Sequence, residues 1–225
     1  MKDLFYKPVK LKSEPEDFLF WGCLHNGHRC ERWDNPLWKT RGFSSVEEHD
    51  EQNIIRWNER ATDQTIGFLL GDTCFGMDAE KNMLALFEAL KFDTLYLQAG
   101  NHFAGFHQIF NSHSSNEIYL FGKTIIFVPN YFETIINGQP IVNSHYPLIS
   151  WNGQARGSWA LFSHVHGNLS KSQLGSDYLN SGAKCYEVSV ERNKFPVSFE
   201  ELDQRFKDKP NIIFDHHGPD TNNPF

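Results

Sequence analysis

Five short apolar runs in this sequence each stop abruptly at residues able to bind a metal ion. The sharpest is Ile66-Gly67-Phe68-Leu69-Leu70, which ends at Gly71-Asp72. A run of this length reads as a buried strand. A carboxylate just past it lies where α/β sheets bind ligands, at the carboxyl ends of their strands. Residues 18–21 likewise run into Cys23, His25 and His28, residues 94–97 into Asn101 and His102, residues 140–143 into His145, and residues 159–162 into His164 and His166. Any one of these endings is a polar turn; five in one chain form a constellation. The residue types fit a two-metal hydrolytic site. A carboxylate can bridge two cations, while imidazoles and an amide oxygen complete shells suited to Zn²⁺, Mn²⁺ or Fe. Two ions about 3.5–4 Å apart clamp a phosphoryl group and acidify a bridging water.

The order of elements points to a parallel sheet. Residues 1–16 read as a mixed-charge leader contributing to an edge strand. Ser44 or Ser45 with Glu47 or Glu48 forms a capping-box signature. The helix expected over 45–62 places Val46, Ile54, Trp57 and Ala61 on one face. A strand over 65–70, a helix over about 79–91 and a strand over 94–97 continue the alternation. Hairpins follow, with residues 118–121 and 124–128 joined by Gly122-Lys123, and residues 131–136 and 140–143 joined by Asn137-Gly138. Later strands are expected at 159–162 and 184–190, then a helix over about 198–207 capped by Ser198 with Glu201. Residues 1–208 read as one domain. Residues 209–225 read as a loose tail, in which His216-His217 is incidental. Between 29 and 43, Arg29, Arg32, Lys39 and Arg41 interleave with Trp33 and Trp38. That composition suits a loop over a site, with cations for a phosphate and rings for a base; it equally suits a solvated loop anchored by tryptophans.

Composition narrows the function classes. A net charge of −7 argues against broad electrostatic capture of polymeric nucleic acid. A nucleotide-sized substrate stays open, because metal ions supply local positive charge. The cysteines, Cys23, Cys30, Cys74 and Cys185, have no CxxC spacing and read as free thiols of a reducing compartment. No run approaches a membrane span and the N-terminus has no apolar signal core, so a soluble cytoplasmic protein is expected.

The ordered motifs resemble the calcineurin-like metallophosphoesterase superfamily, whose pattern runs D-x-H, G-D, G-N-H-[D/E], H and G-H-x-H. The corresponding residues are Cys23-Leu24-His25, Gly71-Asp72, Gly100-Asn101-His102-Phe103, His145, and Ser163-His164-Val165-His166-Gly167. Gly27-His28, Arg41-Gly42-Phe43, Trp57-Asn58 and His145-Tyr146-Pro147-Leu148 are similar to features of its compact bacterial and phage members. The resemblance spans residues 17–207. It implies a four-layer α/β/β/α sandwich with two mixed sheets and a centre of two divalent ions, drawn from Mn, Fe, Ni or Zn. Asp72 would bridge; His25, His166 and position 23 would hold one ion, and Asn101, His145 and His164 the other. His102 would act as general acid, with His28, Arg41 and Trp38 around the substrate. The implied reaction is attack of a bridging hydroxide on a small phosphomonoester or phosphodiester, such as a nucleotide or cyclic nucleotide, in the cytoplasm (the host's, for a phage-encoded member). Three positions depart from the pattern. Cys23 stands where the family has Asp and shifts preference toward Zn²⁺ or Fe and away from Mn²⁺, besides being oxidisable. Phe103 replaces the acid that orients the histidine. Ser163 replaces a glycine. The first two favour an alternative, a catalytically impaired member that binds a phosphorylated ligand or a protein partner.

Overall fold

The computed structural model describes residues 7–29, 36–76, 78–102 and 116–212. The apolar runs become strands of two mixed sheets. In chain order the elements are β1 (Val9–Leu11), β2 (Phe18–Trp21), α1 (Leu37–Thr40), α2 (Val46–Arg60), β3 (Ile66–Leu70), α3 (Ala79–Ala89), β4 (Thr94–Gln98), β5 (Glu117–Leu120) and β6 (Lys123–Val128). Then come β7 (Tyr131–Ile136), β8 (Gln139–Ser144), β9 (Trp159–Phe162), α4 (Gln173–Asn180), β10 (Cys185–Glu187), β11 (Val197–Ser198) and α5 (Phe199–Phe206). The six-stranded sheet has the order β11-β2-β3-β4-β6-β5, parallel from β2 to β6 with an antiparallel strand at each edge. The other sheet runs β1-β7-β8-β9-β10, antiparallel only between β7 and β8. Among the described residues no helix is long and apolar enough to cross a membrane.

Strand alternation sends successive side chains to opposite faces. Phe18, Phe20, Phe68, Leu70 and Tyr96 share one core cluster with Ile136, Ile141, Trp159 and Leu161 of the second sheet. The rings of Phe20, Phe68 and Tyr96 stack across neighbouring strands at 4.7 and 5.0 Å between centroids. Leu19, Trp21, Leu69, Leu95 and Leu97 instead pack with Trp57 of α2 and Met83, Leu86 and Phe87 of α3. The second sheet also contributes Val142, Ala160, Phe162 and Cys185 to a cluster flanked by Tyr178 and Leu179 of α4. Register decides what happens at the rim. Trp21 pairs with Leu69, and Leu70 with Gln98, so the segments leaving β2, β3 and β4 emerge side by side.

Several sequence expectations shift by a residue or two, and a few change in kind. The first hairpin turns at Phe121-Gly122 and not at Gly122-Lys123; both turn residues have positive φ, 55° and 76°. The Asn137-Gly138 turn forms as expected, also with both φ positive. The strand expected over 184–190 ends at Glu187. Beyond it Val188 N–H still bonds to Phe162 of β9, whereas Val190 N–H bonds to Gly22 beside β2. The apolar residues there are buried because the chain crosses from one sheet to the other. Pro196-Val197-Ser198, expected to start a helix, first adds β11 to the sheet edge before the Ser198–Glu201 capping box opens α5. The buried face of α2 is Val46, His49, Asn53 and Trp57, two of them polar. The short helices α1 and α4 carry no periodicity long enough to announce them. Arg32, Trp33, Cys30, Phe103 and His216-His217 lie outside the described residues, as does most of the 209–225 tail; Cys23, Cys74 and Cys185 are free thiols.

One ammonium ties a strand to a helix end. Lys123 Nζ at the start of β6 donates to the carbonyls of Phe87 (3.0 Å), Glu88 (2.9 Å) and Leu90 (2.6 Å), at the C-terminus of α3. Those carbonyls have no partner within the helix and carry its negative dipole end. Lys123→Met is expected to cost about 1–3 kcal/mol, read as a lowered midpoint in urea denaturation with an unchanged slope.

Candidate metal centre

The segments leaving the strands fold back in left-handed backbone. Among the described residues seven non-glycines have positive φ, and five belong to the constellation: Cys23 (56°), His25 (54°), Asp72 (52°), His164 (45°) and His166 (51°). Such backbone costs about 1–3 kcal/mol per residue and persists only where its surroundings enforce it. Here the loops are laced together. Cys23 N–H donates to Gly71 O (3.0 Å), His25 N–H to Asp72 O (2.9 Å), Asn26 N–H to Thr73 O (2.9 Å) and Asp72 N–H to Ala99 O (3.2 Å).

Asp72 is held by one of its two oxygens. Oδ1 accepts the backbone N–H of Asn101 (3.0 Å) and of His102 (2.9 Å). Oδ2 lies 3.4 Å from His145 Nε2 and 3.7 Å from His25 Nε2. The approach needs glycines: a Cβ on Gly100 would collide with Asp72 Oδ1, and one on Gly71 with the His145 ring. Burial opposes the carboxylate's charge, but the hydrogen bond and charge at His145, with the His102 N–H, win and hold its pKa at about 2.

Two of the imidazoles, His145 and His166, have one nitrogen fixed and the other turned inward. His145 Nδ1 donates to Leu70 O (2.8 Å), which turns Nε2 toward the centre. That Nε2 faces Asn101 Oδ1 at 2.9 Å, His164 Nδ1 at 3.2 Å and Asp72 Oδ2 at 3.4 Å. His166 Nδ1 donates to Glu191 Oε1 (2.6 Å), and its Nε2 points at His25 Nε2 3.3 Å away. Burial holds the pKa of His25 well below the usual histidine range, and burial followed by neighbouring His145 lowers that of His164. These imidazole nitrogens converge with Asp72 Oδ2 and Asn101 Oδ1, a set of nitrogen and oxygen donors of the kind that binds a cation. Donor atoms of Cys23, His25 and His166 lie within 4.8 Å of one another, and so do those of Cys23, Asp72 and His145; each group could hold a metal ion. Cys23 belongs to both. Burial pushes its thiol far above the ordinary range, so thiolate there requires a cation beside it.

A second set of residues, which sequence reasoning misses, fixes the first. Arg41, expected at the substrate, has its five N–H groups already committed. Nε and Nη2 donate to Glu191 Oε1 (3.0 and 2.6 Å), Nη2 also to Cys23 O (2.7 Å), and Nη1 to Leu24 O (2.7 Å) and His49 Nε2 (2.6 Å). His49 Nδ1 in turn donates to Asp50 Oδ1 (2.8 Å), whose other oxygen accepts Gly27 N–H (2.7 Å). Asn53 bonds to Asn26 Oδ1 (2.8 Å). A chain of contacts thus runs Asp50–His49–Arg41–Glu191–His166. Burial works against the Glu191 charge, yet His166 and Arg41 keep its pKa at about 2. Arg41 is therefore a positioning residue.

The other expected residues fall as follows. His102 is exposed at the mouth, its ring centroid 5.5 Å from that of His25. His28 is buried, its ring 4.3 Å from Phe75, itself 5.0 Å from His102. Trp38 is half-buried on α1, and no described contact joins its ring to the centre. Tyr146, 40% exposed, packs its ring on His164 at 4.6 Å and borders the centre unforeseen. Carboxylates that orient ligand histidines typically matter about 10–100-fold in metal affinity. Glu191→Ala should weaken Zn²⁺ binding by about that factor, measured by competition with a chromophoric chelator.

No family model matches this chain, and no curated protein matches it. Among solved structures, the crystal structure of AQ665, a protein of unknown function from Aquifex aeolicus, is similar. It has a TM-score of 0.58 and 17% identity over 84% of this chain and 98% of that one. At that identity the likeness concerns the fold alone.

Proposed function

We infer that this chain is a dinuclear metal-dependent phosphoesterase acting on a small phosphorylated substrate. Its layers would be those of an α/β/β/α sandwich, a reading supported by the two sheets and by core clusters that join each outer sheet face to helices. The observation that carries the functional reading is the pair of donor groups meeting at Asp72 Oδ2. His25 and His166, with Cys23, form one; His145, Asn101 and His164 form the other. The donor set fits Zn²⁺ or Fe better than Mn²⁺, since it includes a thiol.

Divalent ions bound there would supply Lewis-acid charge to the phosphoryl oxygens and an acidified water as nucleophile. The chain's own residues do the rest. Asp72, with Oδ1 clamped by backbone N–H groups, offers Oδ2 at a fixed position between the two halves. His145 and His166 are locked by Leu70 O and Glu191 into the tautomers that face inward. His102, whose N–H is bonded to Asp72, stands exposed at the mouth, where its ring would give a proton to the departing oxygen. Tyr146 and the basic residues beyond His166 border the approach.

A non-catalytic, ligand-binding role is the competing reading, favoured by the buried thiol at Cys23 where a carboxylate would be expected. Turnover of an aryl phosphodiester and an aryl phosphomonoester, with Zn²⁺, Mn²⁺ or Ni²⁺ added and metal content measured, separates the two. Turnover with two ions per chain is expected; no turnover with any metal, and one ion or none bound, would sink the enzyme reading. His102→Ala should lower kcat by about 10²–10⁴-fold with metal content retained. Loss of metal instead would reassign His102 as a ligand. Cys23→Asp should raise Mn²⁺-supported turnover relative to Zn²⁺; an unchanged metal preference would remove Cys23 from the ligand set.

A further inference from the structure

A groove of about 780 Å³ opens beside the centre, with His166 in its wall. Its volume falls in the range of sites for small ligands. Its charge is opposite to that of the chain. The protein carries a net −7, yet the groove is lined by Arg41, Arg56, Lys171 and Lys194 against one carboxylate, Glu191. That carboxylate is paired with Arg41 and His166. The other three cations come from separate segments: Arg56 from α2, Lys171 from the short 3-10 turn after β9, and Lys194 from the loop after β10. None of them forms an ion pair among the described residues. Lys171 Nζ donates only to the neutral Asn168 Oδ1 (2.6 Å), and Lys194 rests near the Phe195 ring (5.4 Å). Arg56 is the most telling. Its guanidinium stacks on Phe43 at 5.1 Å, and its Nε is buried with no hydrogen-bond partner among the described residues. Stacking covers a guanidinium face and leaves its in-plane N–H groups for an anion.

Cations brought together without anions repel one another, so their convergence points to an anionic ligand. We propose that Arg56, Lys171 and Lys194 form a subsite for a second phosphate of the substrate, joined to the phosphate that sits at the metal centre. The substrate class is then an oligophosphate or its ester, such as a nucleoside di- or triphosphate. This deepens the phosphoesterase reading and rests on it for the role of the groove, but the anion site itself stands on the chain's own cations.

The test is calorimetric titration of metal-free protein, kept in chelator at fixed ionic strength, with tripolyphosphate and with orthophosphate. Tripolyphosphate is expected to bind at least about tenfold more tightly. The R56Q/K194Q double variant should lose about tenfold or more of that affinity, while K207Q, outside the groove, should not. Equal affinity for the two anions, or unchanged binding in R56Q/K194Q with a native far-ultraviolet circular dichroism spectrum, would overturn the proposal. Should the double variant fail to fold, the exposed K171Q variant is read in its place, and unchanged tripolyphosphate binding there overturns it equally. No metal and no turnover enter the measurement, so it can succeed where the phosphoesterase reading fails. Turnover of an aryl phosphate can likewise succeed where the groove does not bind.

Discussion

Asp72 gives one carboxylate oxygen to the backbone, and the rest of the centre depends on that division. Two N–H groups from the turn after β4 take Oδ1, which leaves Oδ2 pointed at histidines from the ends of β2 and β8. A freely rotating carboxylate would lose conformational entropy on meeting a cation. This one is already oriented, and its charge is held chiefly by His145 and in part by the His102 N–H that also fixes its geometry. The glycines at 71 and 100 serve this arrangement, because a methyl group at either would displace the carboxylate or the His145 ring. The sheet register serves it too, by bringing the ends of β2, β3 and β4 level.

Around this carboxylate the polar groups form two concentric sets. The inner one consists of inward-facing imidazole nitrogens with Asp72 Oδ2 and Asn101 Oδ1. The outer one is made of groups whose hydrogen bonds fix which nitrogen faces in. Arg41 belongs to the outer set: it joins the loop after β2, through the carbonyls of Cys23 and Leu24, to Glu191 beyond β10. A single guanidinium thereby joins the loop after β2 to the segment that crosses over from β10. The α2 helix contributes to the same frame through His49, Asp50 and Asn53, which explains why its buried face is partly polar.

Much of this can be read in the sequence, and the boundary between legible and illegible has a physical cause. Apolar runs of strand length that stop at Gly-Asp, Gly-Asn-His or His-x-His give both the strand and the inward-facing residue, because the carboxyl end of a strand is where the chain turns and side chains converge. Asp72, Asn101, His145, His164 and His166 are legible for that reason. The outer set is not. Glu191 sits in Val190-Glu191-Arg192-Asn193, which looks like any solvated turn, and His49 lies in a run of charges resembling an exposed helix face. Their partners are distant in sequence, so no local pattern marks them. Arg41 is visible by type and place, yet its N–H groups go to Glu191, His49 and two carbonyls, which its type alone does not announce. Its convergence on acceptors from separate segments is a property of the folded chain alone. The strand expected through Val190 fails similarly, since burial at Val188 and Val190 comes from a crossing between sheets and not from a ladder.

The left-handed backbone at the strand ends reaches beyond geometry into what sequence changes the centre can absorb. Apart from glycine, the residues that enter this region most readily are asparagine, aspartate and histidine. Those are also residues whose side chains ligate divalent ions. At positions 25, 72, 164 and 166, then, two independent filters, one steric and one chemical, admit nearly the same small alphabet. Random substitution at these positions meets a backbone barrier before metal chemistry is ever tested, and a swap among Asn, Asp and His meets the least. Cys23 is the exception, for cysteine has no such preference. Position 23 is thus where the chain accepts a less suited backbone residue together with sulfur, and where an aspartate would ease the fold and put oxygen donors in its place.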